Sequence, residues 1–168
     1  MAPELLVLGL GNPLRRDDGV GPRVVELLLQ GGLPPEVEAI DAGTSGYDLL
    51  NLLGNSESSG GGVRQVVIVD AADLGLEAGQ FARFTPEQVE LAQGAPGSGA
   101  HQAGLAEAFA LARALERRLP KIVIFGVQPD SLEWGTGLSS KVEAALPPLV
   151  AAVLEEVHKQ PGSESLRG

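Results

Sequence analysis

The sequence predicts an α/β protein: a three-layer sandwich, with a mostly parallel twisted sheet of about five strands and helices on both faces. Three observations carry this reading. Short continuous apolar runs, such as Leu5 to Leu10, Val66 to Val69 and Lys121 to Val127, fit strands buried on both faces. Between them lie segments whose apolar residues recur at helical spacing, and strands alternating with helices imply a parallel sheet. The chain has 168 residues and is 43% hydrophobic, which suits one core. Residues 1–160 are read as a single domain and 161–168 as a flexible tail.

Leu5 to Leu10 ends among Gly9, Gly11 and Asn12, so the first strand runs into a tight turn. Val20, Val24, Leu27 and Leu28 then keep helical phase between Gly19 and Gly31-Gly32. Pro34-Pro35 restarts the chain into a strand over Val37 to Ala42, and Gly43-Thr44-Ser45-Gly46 turns it into a short helix from Tyr47 to Leu53. Gly54 to Gly62, rich in Gly, Ser and Asn, reads as a solvated surface loop. Val66 to Val69 is the strongest strand and ends at Asp70; Gln80 to Phe84 is a short edge strand. Thr85-Pro86-Glu87-Gln88 forms a capping box with proline at the first helical position. After a glycine-rich loop from Gln93 to Ala100, Leu105, Phe109, Ala112 and Leu115 predict a long helix from His101 to Leu119, stopped by Pro120. Lys121 to Val127 is the last strand. Ser140 and Glu143 predict a second capping box, and Pro147-Pro148 predict a kink or break before Leu149 to Val157.

Composition excludes several classes of function. There is no cysteine, hence no disulfide, thiolate nucleophile or thiolate metal site. A formal charge of −10, with no basic stripe, argues against a nucleic-acid partner. No apolar run approaches the roughly 20 residues that span a bilayer. The N-terminal residues lack a basic region and a cleavage site, so a cytoplasmic protein with no membrane partner is expected. Its oligomeric state is left open.

In parallel sheets ligands bind outside the carboxyl ends of the strands. Asp17, Asp18, Asp41 and Asp70 all fall there, and His101 opens a helix after a loop. Each has a plainer role available. One of Asp17 and Asp18 could cap the helix near Gly19, Asp41 and Asp70 could bind loop amides, and His101 could cap its own helix. Together, Asp18, Asp70 and His101 form a borderline-to-hard donor set suited to Zn, Ni, Fe or Mn, with positions open for substrate. His158, beside Lys159, reads as a solvated helix end. Gly9-Leu10-Gly11 begins like a dinucleotide fingerprint, but the third glycine would fall at Leu14 and two carboxylates follow. Ser98 and His101 could pair as nucleophile and base, although no nucleophile elbow or His-Glu-x-x-His signature occurs.

Gly9-Leu-Gly-Asn-Pro13 resembles the opening of peptidyl-tRNA hydrolase, whose catalytic histidine follows shortly; here no histidine precedes His101. A broader resemblance covers most of the chain. Gly9-Leu-Gly-Asn-Pro-Leu-Arg-Arg-Asp-Asp-Gly-Val-Gly21, Asp41-Ala-Gly-Thr-Ser-Gly46, the strand ending at Asp70 and His101-Gln-Ala-Gly-Leu105 appear in the order found in hydrogenase maturation proteases. So do Phe125-Gly-Val-Gln-Pro129 and Trp134-Gly-Thr-Gly-Leu-Ser139. The resemblance implies an endopeptidase that removes the C-terminal extension of a nickel-iron hydrogenase large-subunit precursor after nickel insertion. It implies nickel supplied by that precursor and held by Asp18, Asp70 and His101, the last three also being the catalytic candidates. Asp18 stands where the family often has Glu, one methylene longer. Asp41 matches the acidic residue of the family's glycine-threonine turn; Asp41 and Asp17 are candidate supporting carboxylates, with Asp17 read as a brace for the loop or the following helix. The rival from another class is a chaperone that holds a metal-loaded hydrogenase subunit without cutting it.

Overall fold

A computed structural model describes residues 3–44, 51, 62–91, 100–115 and 118–159. Five strands form one sheet: β1 (Leu5–Leu10), β2 (Val37–Gly43), β3 (Gln65–Ala71), β4 (Phe81–Phe84) and β5 (Lys121–Val127). Their order is β2-β1-β3-β5-β4; all neighbours are parallel except β4, which pairs antiparallel with β5 at the edge. The helices are α1 (Val20–Gly31), entered through a 3-10 turn at Arg16–Gly19, then α2 (Pro86–Leu91), α3 (Ala100–Ala114) and α4 (Ser140–His158). The expected fold class is the observed one.

Alternate residues of the central strands build two cores, as the pleat requires. Val7, Val67, Val69, Val123 and Phe125 pack with Val24 and Leu28 of α1 and Leu146, Leu149 and Val153 of α4. Leu6, Leu8, Val66, Ile68 and Ile124 pack on the other face with Leu105, Ala108 and Phe109 of α3. Burial on both faces explains why β1, β3 and β5 read as unbroken apolar runs, whereas edge strand β2 exposes Glu38 between buried Val37 and Ala39.

The first turn of α1 rests directly on the strand ends. A Cβ on Gly21 would run into the carbonyl oxygens of Leu10 and Val69, and one on Gly9 into the carbonyl of Gly21. This backbone-to-backbone approach draws the residues preceding α1 in over β1 and β3.

Two expectations are corrected at α4. It runs unbroken over 19 residues with Pro147 and Pro148 inside it. Both prolines are exposed, so the carbonyls of Glu143 and Ala144 that lose their helical N–H partners can turn to water, while Val142, Leu146, Leu149 and Val153 hold the buried stripe on either side. The N-cap is Ser139, one residue earlier than expected, its hydroxyl accepting from the Val142 amide at 3.5 Å. The capping box of α2 is observed as expected: Thr85 N–H donates to Gln88 Oε1 at 2.9 Å and Gln88 N–H to Thr85 Oγ1 at 3.5 Å. Helix α3 ends at Ala114 rather than Leu119, because the residue before Pro120 is biased towards extended backbone and the chain must turn into β5. The expected helix at Tyr47 to Leu53 (Asn51 apart), most of the Gly54 to Gly62 loop, the loop after residue 92 and the tail lie outside the described residues.

At the amino end of the sheet, a carboxylate that sequence reasoning passed over ties α4 to β4. Glu156, 1% exposed, accepts two bonds from Arg83, at 3.1 and 3.0 Å, one from Lys159 at 3.1 Å and one from Gln65 at 3.3 Å. Burial alone would raise its pKa; bonds from Arg83 and Lys159 outweigh that and hold it below the usual glutamate value. Its contribution is therefore complete above the unfolded pKa of about 4.3 and is lost as pH falls through the lower folded value. Glu156→Ala is expected to cost about 2 kcal/mol at neutral pH, since Arg83 and Lys159 are partly exposed and can rehydrate. Urea denaturation of both proteins at pH 7 and pH 3 checks this; the difference should shrink in acid.

Candidate active site

The chain leaves β1 for β2 on one side and returns to β3 on the other, so the β1/β3 boundary is where the order of the parallel sheet reverses. A crevice forms outside the strand ends at such a point. Asp18 belongs to the 3-10 turn, which lies against β3, and Asp70 is the penultimate residue of β3. Both side chains are buried, at 3% and 2% exposure.

Asp18 is positioned by the backbone of the β1 exit. Its Oδ2 accepts the Asn12 amide at 2.9 Å, and its own N–H donates to the Arg15 carbonyl at 3.1 Å. Gly11 has φ +133°, and a Cβ there would overlap the Asp18 carbonyl oxygen. Glycine is thus required both for the conformation and for the contact.

Asp17 points elsewhere. Fully buried, its Oδ2 accepts the amides of Asp130 (2.9 Å) and Ser131 (3.0 Å) and the Ser139 hydroxyl (2.8 Å), while Oδ1 accepts the Ser139 amide (2.7 Å). Burial pushes its pKa up, but those amides and the hydroxyl more than compensate and hold it below the usual aspartate range. The adjacent carboxylates therefore divide the work. Asp17 staples the loop between β5 and α4 to the turn that carries Asp18.

Asp70 shares the α3 face of the sheet with Val66 and Ile68. The loop after it is held by Gln128, whose Oε1 accepts the amides of Leu74 (2.6 Å) and Leu76 (3.3 Å) and whose Nε2 donates to Asp73 Oδ1 (3.3 Å). Nothing in the local sequence signals this buried glutamine apart from its place in the family resemblance.

His101 is the second residue of α3, and its side chain lies outside the described residues, as does Ser98. The backbone gives its height. Phe109 borders a cavity with Pro120 and Ile122 at the start of β5. Eight helical residues climb about 12 Å from there, as do roughly four strand residues, reaching the level of Gly126. Gly126 is the register partner of Asp70.

Asp41 is not brought into this group. It follows Val37 and Ala39 on the α1 face, is exposed, and accepts the Gly43 amide at 3.1 Å. It borders a cleft of about 440 Å³ with Arg16, Arg23 and Glu26. His158 is exposed at the far end of α4, beside Glu4 and Leu5 at the amino end of the sheet. Among the described residues, which exclude the His101 side chain, no three of His, Asp and Glu come together as a metal site. None of the helices among them is long and apolar enough to cross a membrane.

A family model described as hydrogenase maturation protease matches residues 22–156. The chain belongs to the hydrogenase maturation protease family. It is therefore an endopeptidase. The hydrogenase 2 maturation protease of Escherichia coli K12 is 32% identical over 164 residues, 97% of this chain and 95% of that protein, a span that leaves no room for the acidic turn to fall outside it. The hydrogenase expression/formation protein HoxM of Azotobacter vinelandii is 33% identical over 156 residues, 92% of this chain and 72% of HoxM. Among solved structures, the hydrogenase maturating endopeptidase HybD of E. coli superposes with a TM-score of 0.77 at 34% identity, covering 92% of this chain and 91% of HybD. The [NiFe] hydrogenase maturation protease HybD of Thermococcus kodakarensis gives 0.72 at 28% identity, covering 93% and 99%. In this maturation protease, then, the crevice at the β1/β3 boundary is the place to seek the site of cleavage.

Proposed function

We propose that this maturation protease removes the C-terminal extension of a nickel-iron hydrogenase large-subunit precursor after nickel has been inserted, and that it recognises the metal its substrate carries. Asp18, Asp70 and His101 grip that nickel, which belongs to the substrate rather than to the enzyme. The donor set fits: two carboxylates and an imidazole, with no thiolate, suit a borderline divalent ion and leave positions for ligands from the precursor. The observation that supports the reading is the burial of two carboxylates, Asp18 in the turn that lies against β3 and Asp70 near the carboxyl end of β3 itself.

Once the metal is held, the scissile peptide lies in the cleft. The same three residues are the candidate catalytic groups: a carboxylate takes a proton from the attacking water as its oxygen bonds to the scissile carbonyl carbon and returns it to the leaving amine as the C–N bond breaks, while the substrate's nickel would supply electrostatic polarisation. Asp17, already committed to four hydrogen bonds, acts through the loop and not on the substrate. Asp41, on the other face, is assigned no part.

Mass spectrometry of a nickel-loaded precursor incubated with the protein tests this. A product shortened at its C-terminus is expected from loaded precursor, with none from precursor lacking nickel. Full-length precursor held in a complex would instead mark a chaperone, and equal cleavage with and without nickel would remove the metal from recognition.

A further inference from the structure

The loop that Asp17 staples displays apolar side chains beside the crevice. Trp134, the only tryptophan in the chain, is 74% exposed, Leu14 58% and Leu132 40%. They do not stand on a frayed loop. Gly135 N–H donates to the Leu14 carbonyl at 2.8 Å, Arg16 N–H to the Gly135 carbonyl at 3.1 Å and Asp17 N–H to the Ser131 carbonyl at 3.1 Å, besides the bonds to the Asp17 carboxylate. Arg15 orients the indole: its Nε donates to the Leu132 carbonyl at 3.2 Å and its guanidinium carbon lies 5.3 Å from the Trp134 ring centroid.

We propose that Trp134, with Leu14 and Leu132, is a substrate-docking surface that binds an apolar segment of the polypeptide to be cleaved and so contributes to specificity. This rests on the processing reading above. The occupant follows from continuity with the acidic turn: Arg15, whose guanidinium lies over the indole, accepts the amide of Asp18 at its own carbonyl, so a chain lying on the indole borders the turn that carries Asp18. It follows also from pre-organisation. A rigid aromatic already oriented by a cation loses little entropy on burial, and such residues dominate binding at protein interfaces.

The sole tryptophan makes the test direct. The full-length protein is labelled with 5-fluorotryptophan and titrated with nickel-loaded large-subunit precursor while its single fluorine resonance is followed; Kd, KM and kcat are measured for Trp134→Ala, Trp134→Phe and Leu115→Ala. Leu115, comparably exposed just past α3, is the control. A shifted resonance is expected, with Kd and KM raised at least about tenfold in Trp134→Ala, kcat within about twofold, most of the loss recovered in Trp134→Phe and no change in Leu115→Ala. An unshifted resonance, or Trp134→Ala indistinguishable from Leu115→Ala, overturns the proposal. So does a shift that grows with protein concentration without precursor, which would mean that a second copy covers the patch. Precursor that binds and shifts the resonance yet stays uncut would sink the processing reading and leave the docking surface standing; normal cleavage by Trp134→Ala would do the reverse.

Discussion

Asp18→Asn is expected to lower processing of nickel-loaded precursor by roughly 10²–10⁴, the range lost when a positioned acid–base group is removed. The variant should melt with the parent protein. Asparagine keeps an oxygen for the Asn12 amide, which at 2.9 Å is what the fold asks of Oδ2. What it loses is the negative charge and one of the two carboxylate oxygens. If the three act as the proposed unit, Asp70→Asn and His101→Ala should behave alike, because the losses from a single unit do not add. The division of the loss is informative: a rise in KM alone would mean that Asp18 only grips the metal, and a fall in kcat that it also serves the water. Full processing by all three folded variants would dismiss the site.

Replacing Asp17 should do the opposite, striking the fold first. Asp17→Ala strands three amides and a hydroxyl and separates the loop carrying Trp134 and Ser139 from the turn carrying Asp18. Leaving buried donors unpaired in this number is expected to cost on the order of 3–5 kcal/mol, a large part of an ordinary domain's stability. The melting temperature should fall by about 10 °C. Because the folded pKa is depressed, this stabilisation is complete above about pH 4 and fades as pH falls through the folded value. The gap between parent and variant should therefore narrow in acid. A variant melting within about 2 °C of the parent at pH 7 would show that the staple carries little of the stability.

How much of this was legible in the sequence varies with the range of the interaction. Central strands advertise themselves through unbroken apolar runs such as Val66 to Ile68, and the α2 cap is written in Thr85 to Gln88, because both depend on neighbours in the chain. Of the kink or break expected at Pro147-Pro148, the break does not occur, for a tertiary reason: the pair faces water while the stripe beneath it stays packed. Glu156 looked like any surface glutamate of a terminal helix, and only Arg83, 73 positions away, makes it a buried anchor.

By itself, the sequence determined the α/β class, most of the run of elements and the short set of acidic residues worth suspecting, since these follow from local period, spacing and residue type; the family came from the resemblance of its motifs in order. The family resemblance divides the adjacent aspartates, and the tertiary structure supplies the physical reason. One peptide bond apart, Asp17 and Asp18 have the same local chemistry. What separates them is that one carboxylate meets the start of α4, 122 positions distant, while the other stays by Asn12 at the strand edge. The tertiary structure alone decided that Asp41 lies across the sheet from Asp70, because a strand sends successive side chains to opposite faces and only the assembled sheet shows which face each strand turns to the crevice.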